Sequence, residues 1–355
     1  MLGCYPYLGC NTAGPRIHEC ARVGFFMRVV WGGELHVTSP YDKPFLEIDE
    51  QIALLESRGL AVEDHEAARK ALLEYGYYRI SGYSHPLRKY DLASGKYKDD
   101  FREGACLSHP INLIEFDRGL RSLFLVAAER IEIALRVRVA ILLGQRGPWS
   151  HRDAGEFKAT FGSRPNKNTN EIPFDVWLEK LIKLEKDSKE QFAVHFRGKY
   201  SDPPPVWVSI ELWDFGMLSR LIGGMKPDDL DTLAGYYSLP LRKFLPSWIR
   251  AINHIRNVAA HHSRLWNRSP VDQPVPPKDG EVPILNHLAG DTFAQTRLYA
   301  VAAVTQFLLR QIHADAAQAW SLAMKDHFAS FPDMPGVPVE QTGFPNGWRD
   351  LELWK

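Results

Sequence analysis

Residues 115–143 carry the strongest helical pattern in the chain, and this pattern constrains the fold more than any other feature. Apolar side chains recur there every three or four residues, the spacing that places them on one face of an α-helix. Glu132 and Arg136 stand four residues apart, in the order that favours an ion pair on a helix. Gly144 predicts the end of the helix. The apolar stripe consists of Phe116, Leu120, Leu123, Phe124, Ala127, Ile131, Ala134 and Ile141.

Similar periodicity elsewhere predicts an all-α protein. Residues 91–105 are polar and predict a loop or a short hairpin. The tail, 331–355, has no periodicity, but it carries Phe344, Trp348 and Trp354, which we expect to pack on the helical body. The further predicted helices cover about residues 47–58, 63–75, 174–197, 206–222, 247–268, 292–312 and 314–329, and a short helix is predicted to begin at Pro227.

The composition is that of an ordinary globular protein. Hydrophobic residues make up 45% of the chain, and 43 basic residues balance 43 acidic ones, so the net charge does not indicate a nucleic-acid partner. No apolar run is long enough to cross a bilayer, and no signal peptide is recognisable, so we expect a protein of the bacterial cytoplasm. We expect four parts: a disordered or mis-assigned start at 1–35, a helical accessory region at 36–110, a helical bundle at 111–330 and a packed tail at 331–355.

The first residues contain a cluster of possible metal ligands. Cys4, Cys10, His18 and Cys20 lie close together, but their spacing matches no usual zinc knuckle. An upstream extension of the true start, with Met27 as the initiator, explains the stretch better.

Residues 247–268 concentrate cationic and imidazole groups in this neutral protein. Arg256 is followed directly by the polar Asn257, and His261 comes five positions after the arginine. No Asp or Glu occurs between Asp231 and Asp272. Such a distribution predicts a polyanionic substrate. The neighbouring side chains expected to contact it are Arg250, His254, His262, Arg264 and Arg268.

Metal binding by these histidines is disfavoured by their spacing. His254 and His261 are seven residues apart, about 10.5 Å along a helix, which is too far for one ion. The chain has no HExxH sequence, and we expect neither a metal nor another cofactor.

Metal-free RNA cleavage fits this set of residues. A histidine can transfer protons at neutral pH, and an arginine can bind the charged phosphorane that forms during attack by the ribose 2′-hydroxyl. Arg-x4-His is a short pattern, however. A helix whose Arg and His only hydrogen-bond to neighbours therefore stays an open alternative.

The segment resembles the signature of HEPN domains, in which a polar residue follows the arginine of an R-x4-6-H motif. RNVAAHHSRLWNR also resembles the abortive-infection (Abi) family of bacterial phage-resistance proteins, the AbiD/AbiF-like group. The resemblance extends through KPFLEIDEQIALLESRGL, YGYYRISGYSHPLR, EFDRGLRSLFLVAAERIEIALRVRVA, PPVWVSIELWDFGMLSRL and GFPNGWRDLELW, in the order that the family shows.

This resemblance implies an all-helical HEPN-type bundle, RNA cleavage as the toxic activity and a role in phage defence. It assigns Arg256 and His261 to the catalytic pair and Asn257 to the polar position. We therefore expect a metal-independent endoribonuclease that leaves a 2′,3′-cyclic phosphate and a 5′-hydroxyl. The alternative is an RNA-binding or RNA-sensing module that does not cut. Nucleotidyl transfer ranks last, because the chain has neither a P-loop nor GxGxxG.

Two further expectations concern partners. One motif copy supplies a single clear catalytic histidine, so we predict a homodimer with a composite site, anchored by Trp248 or Trp266. The nearest comparable pair, Arg146 and His151, is interrupted by Gly147-Pro148. The resemblance also leaves room for a companion non-coding RNA or an antitoxin. The tyrosine-rich residues 75–90 are either an aromatic connector or a surface on which bases stack.

Overall fold

A single helix of 37 residues, Ser108–Gly144, forms the axis around which the other helices pack. The computed structural model describes residues 40–355. Residues 48–355 form one compact unit, and residues 40–47, which belong to a separate unit, contain no helix or strand. The predictions for 1–35, including Cys4, Cys10, His18, Cys20 and Met27, lie outside the described residues. The divisions proposed near residues 110 and 330 remain predictions.

The prediction of an all-α protein is confirmed, since the described residues contain only one small sheet, an antiparallel hairpin in which Tyr90 pairs with Tyr97. The elements are α1 Ile48–Ser57, α2 His65–Tyr75, α3 Tyr77–Ser84, β1 Arg88–Asp91, β2 Lys96–Phe101, α4 Ser108–Gly144, α5 Ala159–Gly162, α6 Pro173–Asp187, α7 Gln191–Lys199, α8 Val206–Ser209, α9 Phe215–Gly224, α10 Pro227–Tyr236, α11 Phe244–Ala260, α12 Thr292–Thr296, α13 Leu298–Ile312 and α14 Ala314–Ala329.

Side chains that compete for backbone hydrogen bonds divide two of the predicted helices. The segment predicted as one helix over 206–222 breaks before α9, where the Asp214 carboxylate accepts a hydrogen bond from the Met217 N–H at 2.8 Å. The segment predicted over 174–197 breaks at Ser188, whose Oγ accepts from the Glu190 N–H at 3.2 Å. Short polar side chains favour such caps over a continuous helix.

The sequence Thr292-x-x-Gln295 has the form of a capping box, which predicts Thr292 as the cap of the next helix. Asp291 caps this helix instead, accepting a hydrogen bond from the Ala294 N–H at 2.9 Å. The helix stops after five residues because the backbone of Arg297 is extended, with φ −115° and ψ −177°. A second helix, α13, begins at the next residue and is buried along nearly its whole length.

The core contains large aromatic side chains from both the helices and the tail. Phe344, Trp348 and Trp354 are buried, and the Phe344 ring centroid lies 4.1 Å from that of Phe328 in α14. The tail thus packs on the body as a series of short turns. The fully buried tryptophans are Trp177, Trp213, Trp248, Trp266 and Trp354.

One buried carboxylate joins three parts of this body. Asp117 in α4 is completely buried and forms an ion pair with Arg121 at 2.6 Å. It accepts the Tyr83 hydroxyl of α3 at 2.5 Å and the backbone N–H groups of Leu265 and Trp266 at 3.0 and 2.7 Å. Burial raises the pKa of Asp117, and these hydrogen bonds and the charge of Arg121 oppose that rise. Asp117 therefore fixes the chain just after α11.

His151 is a second polar group in the interior. Its side chain is fully buried, and neither ring nitrogen has a hydrogen-bond partner among the described residues. Burial, and secondarily the charge of Arg152, lowers the pKa of His151 to about 3. The imidazole therefore stays neutral in the folded protein at pH values where an exposed histidine is charged.

We predict that Asp117→Asn destabilises the protein by about 3 kcal/mol, because it removes the charge that balances buried Arg121 and leaves donors without an acceptor. Urea unfolding would measure the change. Asp187→Asn, at the exposed end of α6, is the control and should stay within about 0.5 kcal/mol of wild type. Equal effects of the two substitutions would contradict the role given to Asp117.

A second prediction concerns acid stability. The unfolded chain binds a proton at His151 near pH 6.5, whereas the folded chain does so only near pH 3. Stability is therefore lost as pH falls below 6.5, by about 1.5 kcal/mol between pH 6.5 and pH 5. His151→Leu should remove this component in urea unfolding, and His195→Gln, on the exposed side of α7, should keep it. An unchanged pH dependence in His151→Leu would contradict the prediction.

Candidate functional site

The helix α11 has one face in the core and one face toward solvent. Trp248, Ile252 and Ile255 are buried, and the helix packs against α4, α9 and α13. Arg250, Asn253, Asn257 and His261 recur at intervals of three and four residues, so they lie along the opposite face. Burial of the apolar face therefore fixes the direction in which the polar side chains point.

The helix ends within the motif. His261 is the last, half-helical residue, and His262 has a left-handed backbone with φ 56°. The His262 N–H donates to the Ala259 carbonyl at 3.1 Å, and the Ser263 N–H donates to the Val258 carbonyl at 3.0 Å. This is a Schellman ending, formed here without the usual glycine. His262 therefore lies off the helix, and the expectation that it continues the helix is wrong.

Arg256 and Asn257 touch each other beside this ending. The Arg256 Nη1 donates to the Asn257 Oδ1 at 3.3 Å, and both side chains are half-buried. His261 is exposed one turn after Asn257, on the same face. An arginine, an amide and an imidazole thus occupy the solvent-facing end of one helix.

A carboxylate of α4 and the carboxylate that caps α9 interact electrostatically with Arg256. Burial raises the pKa of Glu132 in α4, against the opposing charges of Arg136 and, more weakly, Arg256. Burial acts to raise the pKa of Asp214, but hydrogen bonds from Lys180 and Met217 and the charges of Lys180 and Arg256 keep it below its usual value. Arg256 therefore has electrostatic partners that the carboxylate-free stretch of sequence did not predict.

A cleft of about 730 Å³ lies along the same face of α11, bordered by α5, α6 and α9. Within residues 40–355, the side chains that line it include no Asp or Glu. Two of its cations are paired at the rim, Lys180 with Asp214 and Arg250 with Asp272, the second pair at 3.2 Å. Its principal polar side chains are Lys158, Lys180, Arg220, Arg250, Asn253 and Asn257.

His254 lies on α11, and Arg268, which follows the end of this helix, acts on it electrostatically. Burial lowers the pKa of His254; the charge of Asp272 opposes this effect and that of Arg268 adds to it. The buried Nε2 of His254 has no hydrogen-bond partner in the part of the chain that the structure describes. These effects favour the neutral form of His254, and Asp272, the partner of Arg250, opposes them.

Helix α3 packs on the segment that follows the motif. The Arg264 Nη1 donates to the Gly82 carbonyl at 2.8 Å, and the Arg79 Nη1 donates to the His262 carbonyl at 3.0 Å. Within the tyrosine-rich segment, Tyr83 is buried and Tyr78 is 93% exposed. The segment therefore has both a packing side and an open aromatic side, and Arg264 has a structural contact besides its predicted RNA contact.

The predicted interface anchors are not available at the surface. Trp248 and Trp266 are both completely buried, and the Trp248 Nε1 donates to the Val275 carbonyl at 2.9 Å. The prediction that either one anchors a two-fold contact is wrong, because helix periodicity alone does not distinguish core tryptophans from interface tryptophans. His151 of the comparable Arg146 pair is likewise inaccessible.

Sequence reasoning missed several residues of the cleft. Asn253 could have been found, since it lies four residues before Asn257 on the same helix face. Lys158, Lys180 and Arg220 come from separate segments that only folding brings together. Among residues 40–355, no group of three His, Cys, Asp or Glu side chains is placed to hold a metal ion, and no helix is long and apolar enough to span a bilayer.

Comparison with known proteins gives one match. The model of the family described as Abi-like protein matches residues 70–267, more than half of the chain, and so includes α4, the cleft-lining helices and the whole motif. No curated protein and no solved structure matches. The family match supports a role in abortive infection or phage defence. The chain belongs to the Abi-like, or abortive-infection, protein family.

Proposed function

We propose that this protein is a metal-independent endoribonuclease and the toxic effector of a bacterial abortive-infection system. The observation that carries the proposal is the grouping of Arg256, Asn257 and exposed His261 at one helix end, beside a cleft lined by cations. Family membership supports a role in phage defence, and the cytoplasm is the compartment in which the proposed RNA substrate would be met.

Each of the three motif residues has its own role in the proposed reaction. His261 accepts the proton of the ribose 2′-hydroxyl, whose oxygen attacks the adjacent phosphorus while the bond to the 5′-oxygen breaks. The products are a 2′,3′-cyclic phosphate and a 5′-hydroxyl, whose oxygen takes up a proton as it leaves. Arg256 binds the charged phosphorane through two N–H groups, and Asn257 holds its guanidinium in place.

A second imidazole would supply the leaving-group proton. Each chain places one exposed histidine, His261, on the motif face of α11, whereas His262 is also exposed but lies off the helix. A homodimer with two motifs in one cleft therefore provides an acid and a base together. In this arrangement the surface side chains His261, Asn257 and Arg256 of each copy face the same phosphate. The two-fold contact must then use residues other than the buried Trp248 and Trp266.

We predict that His261→Ala lowers single-turnover RNA cleavage in EDTA by about 10²–10⁴-fold, the range for loss of an acid–base group. Arg256→Lys should also be strongly impaired, since a point charge cannot make two parallel hydrogen bonds to a phosphate. Gel analysis of end-labelled RNA measures both. His195→Ala is the control, because that histidine is exposed on α7 and lies outside the motif.

His262→Gly tests which of the two adjacent histidines, His261 or His262, transfers the proton. Glycine keeps the left-handed backbone at φ 56°, so the helix ending is preserved while the imidazole is removed. Cleavage should persist in His262→Gly and fail in His261→Ala. The reverse result, or cleavage that requires added magnesium or manganese, would contradict the mechanism. RNA binding without any cleavage by wild type would favour the alternative of a sensing module.

A separate prediction concerns the composite site. Arg256→Ala and His261→Ala protomers, each inactive alone, should recover partial activity when mixed, because the shared cleft of a mixed dimer holds one intact Arg256 and one intact His261. Cleavage rates across a titration of one variant into the other would measure this. A wild-type protein that light scattering shows to be a monomer, and that stays fully active at nanomolar concentration, would contradict it.

A further inference from the structure

The cleft and the motif share one residue and one helix face. Asn257 lines the cleft and also binds Arg256, and Asn253 precedes His261 by eight residues, about 12 Å along a helix. A strand whose reacting phosphate lies at His261 can therefore continue into the cleft. We infer, building on the proposed ribonuclease function, that the cleft binds an unpaired nucleotide of single-stranded RNA beside the cleavage position.

The charge of the cleft fits a phosphodiester. Lys158 and Arg220 are exposed and form no ion pair with any of the described residues, whereas Lys180 and Arg250 each have a carboxylate partner at the rim. Two uncompensated cations thus remain on a surface without its own acidic side chains. Such a surface attracts a phosphate backbone.

The amides indicate that a base enters as well. Asn253 lines the cleft, and its buried Oδ1 has no hydrogen-bond partner among the described residues, so a turn of this amide toward the cleft presents an acceptor that needs a donor. A phosphodiester offers only acceptors, but the edge of a nucleobase offers N–H groups. Asn166 and Asn257, which also line the cleft, add amide donors and acceptors. The cleft therefore suits a base together with its phosphate.

The size of the cleft selects an unpaired base. A volume of about 730 Å³ lies in the range of pockets that hold small molecules. Only a base that has left its stack and its pair can place its hydrogen-bonding edge in such a space. Double-stranded RNA would leave Asn253 without a donor, so single strands and loops are the expected targets.

Binding to the cleavage-deficient His261→Ala protein tests this inference apart from catalysis. Fluorescence anisotropy with a labelled ten-nucleotide single-stranded RNA gives Kd as a function of salt. Arg220→Glu should weaken binding about tenfold and lower the salt slope by about 0.7. Lys70→Glu, on the exposed side of α2, makes the same charge change and should alter Kd less than about twofold.

A substitution that fills the cleft without changing its charge tests whether RNA must enter the cleft. Gly223 lines the cleft, and a side chain added there meets open space. Gly223→Leu should fill the cleft and weaken RNA binding about tenfold without changing the charge. The fold should be kept, because leucine favours a helix more than glycine does.

The outcomes distinguish the inference from the proposed function. Equal Kd values for Arg220→Glu, Gly223→Leu and Lys70→Glu would overturn the cleft assignment, even if wild type cuts RNA. Equal binding of a duplex of the same sequence would also overturn it, as would full competition by inorganic phosphate at matched concentration. If wild type cuts no RNA but only the cleft variants bind it weakly, the cleft assignment stands and the ribonuclease proposal fails.

Discussion

The position of the motif depends on the carboxylate of Asp117. This group lies in the middle of the protein, yet it binds the backbone immediately after the motif helix, through the N–H groups of Leu265 and Trp266. Tyr83 and Arg121 hold the same carboxylate from α3 and α4. Burying a carboxylate costs free energy unless its oxygens accept hydrogen bonds. These contacts therefore specify one arrangement of the three segments. Exposed His261 is thereby attached to a rigid interior.

Charge compensation divides the basic residues around α11 into two groups. Arg256 lies within the electrostatic reach of Asp214 and Glu132, and Arg250 is paired with Asp272. The ion pair of Arg250 and the hydrogen bond from Arg256 to Asn257 hold these guanidinium groups in defined places before a phosphate arrives. Lys158 and Arg220 have no such partner among the described residues, and so they are free to attract the phosphate backbone of RNA.

The sequence predicted those features that depend on local periodicity. Helix α4 was placed because its apolar stripe is long, and α14 because its ends coincide with the pattern. The breaks at Ser188, Asp214 and Arg297 are not predicted. Tertiary contacts, which the local sequence does not show, decide whether the backbone forms a cap at such a residue or continues the helix. The same limit applies to the site. The spacing of Arg256, Asn257 and His261 was visible, but the carboxylates near Arg256 and the opposite wall of the cleft come from distant segments.

The most direct test of the account is the chemistry of RNA ends in bacterial cells that express the protein. Sequencing methods specific for 2′,3′-cyclic phosphates and 5′-hydroxyls would compare wild type with His261→Ala at equal protein levels. The account predicts new paired ends of these two kinds, located in single-stranded regions, in wild-type cells alone. Identical end profiles in the two strains, or new ends that carry 5′-phosphates, would contradict it.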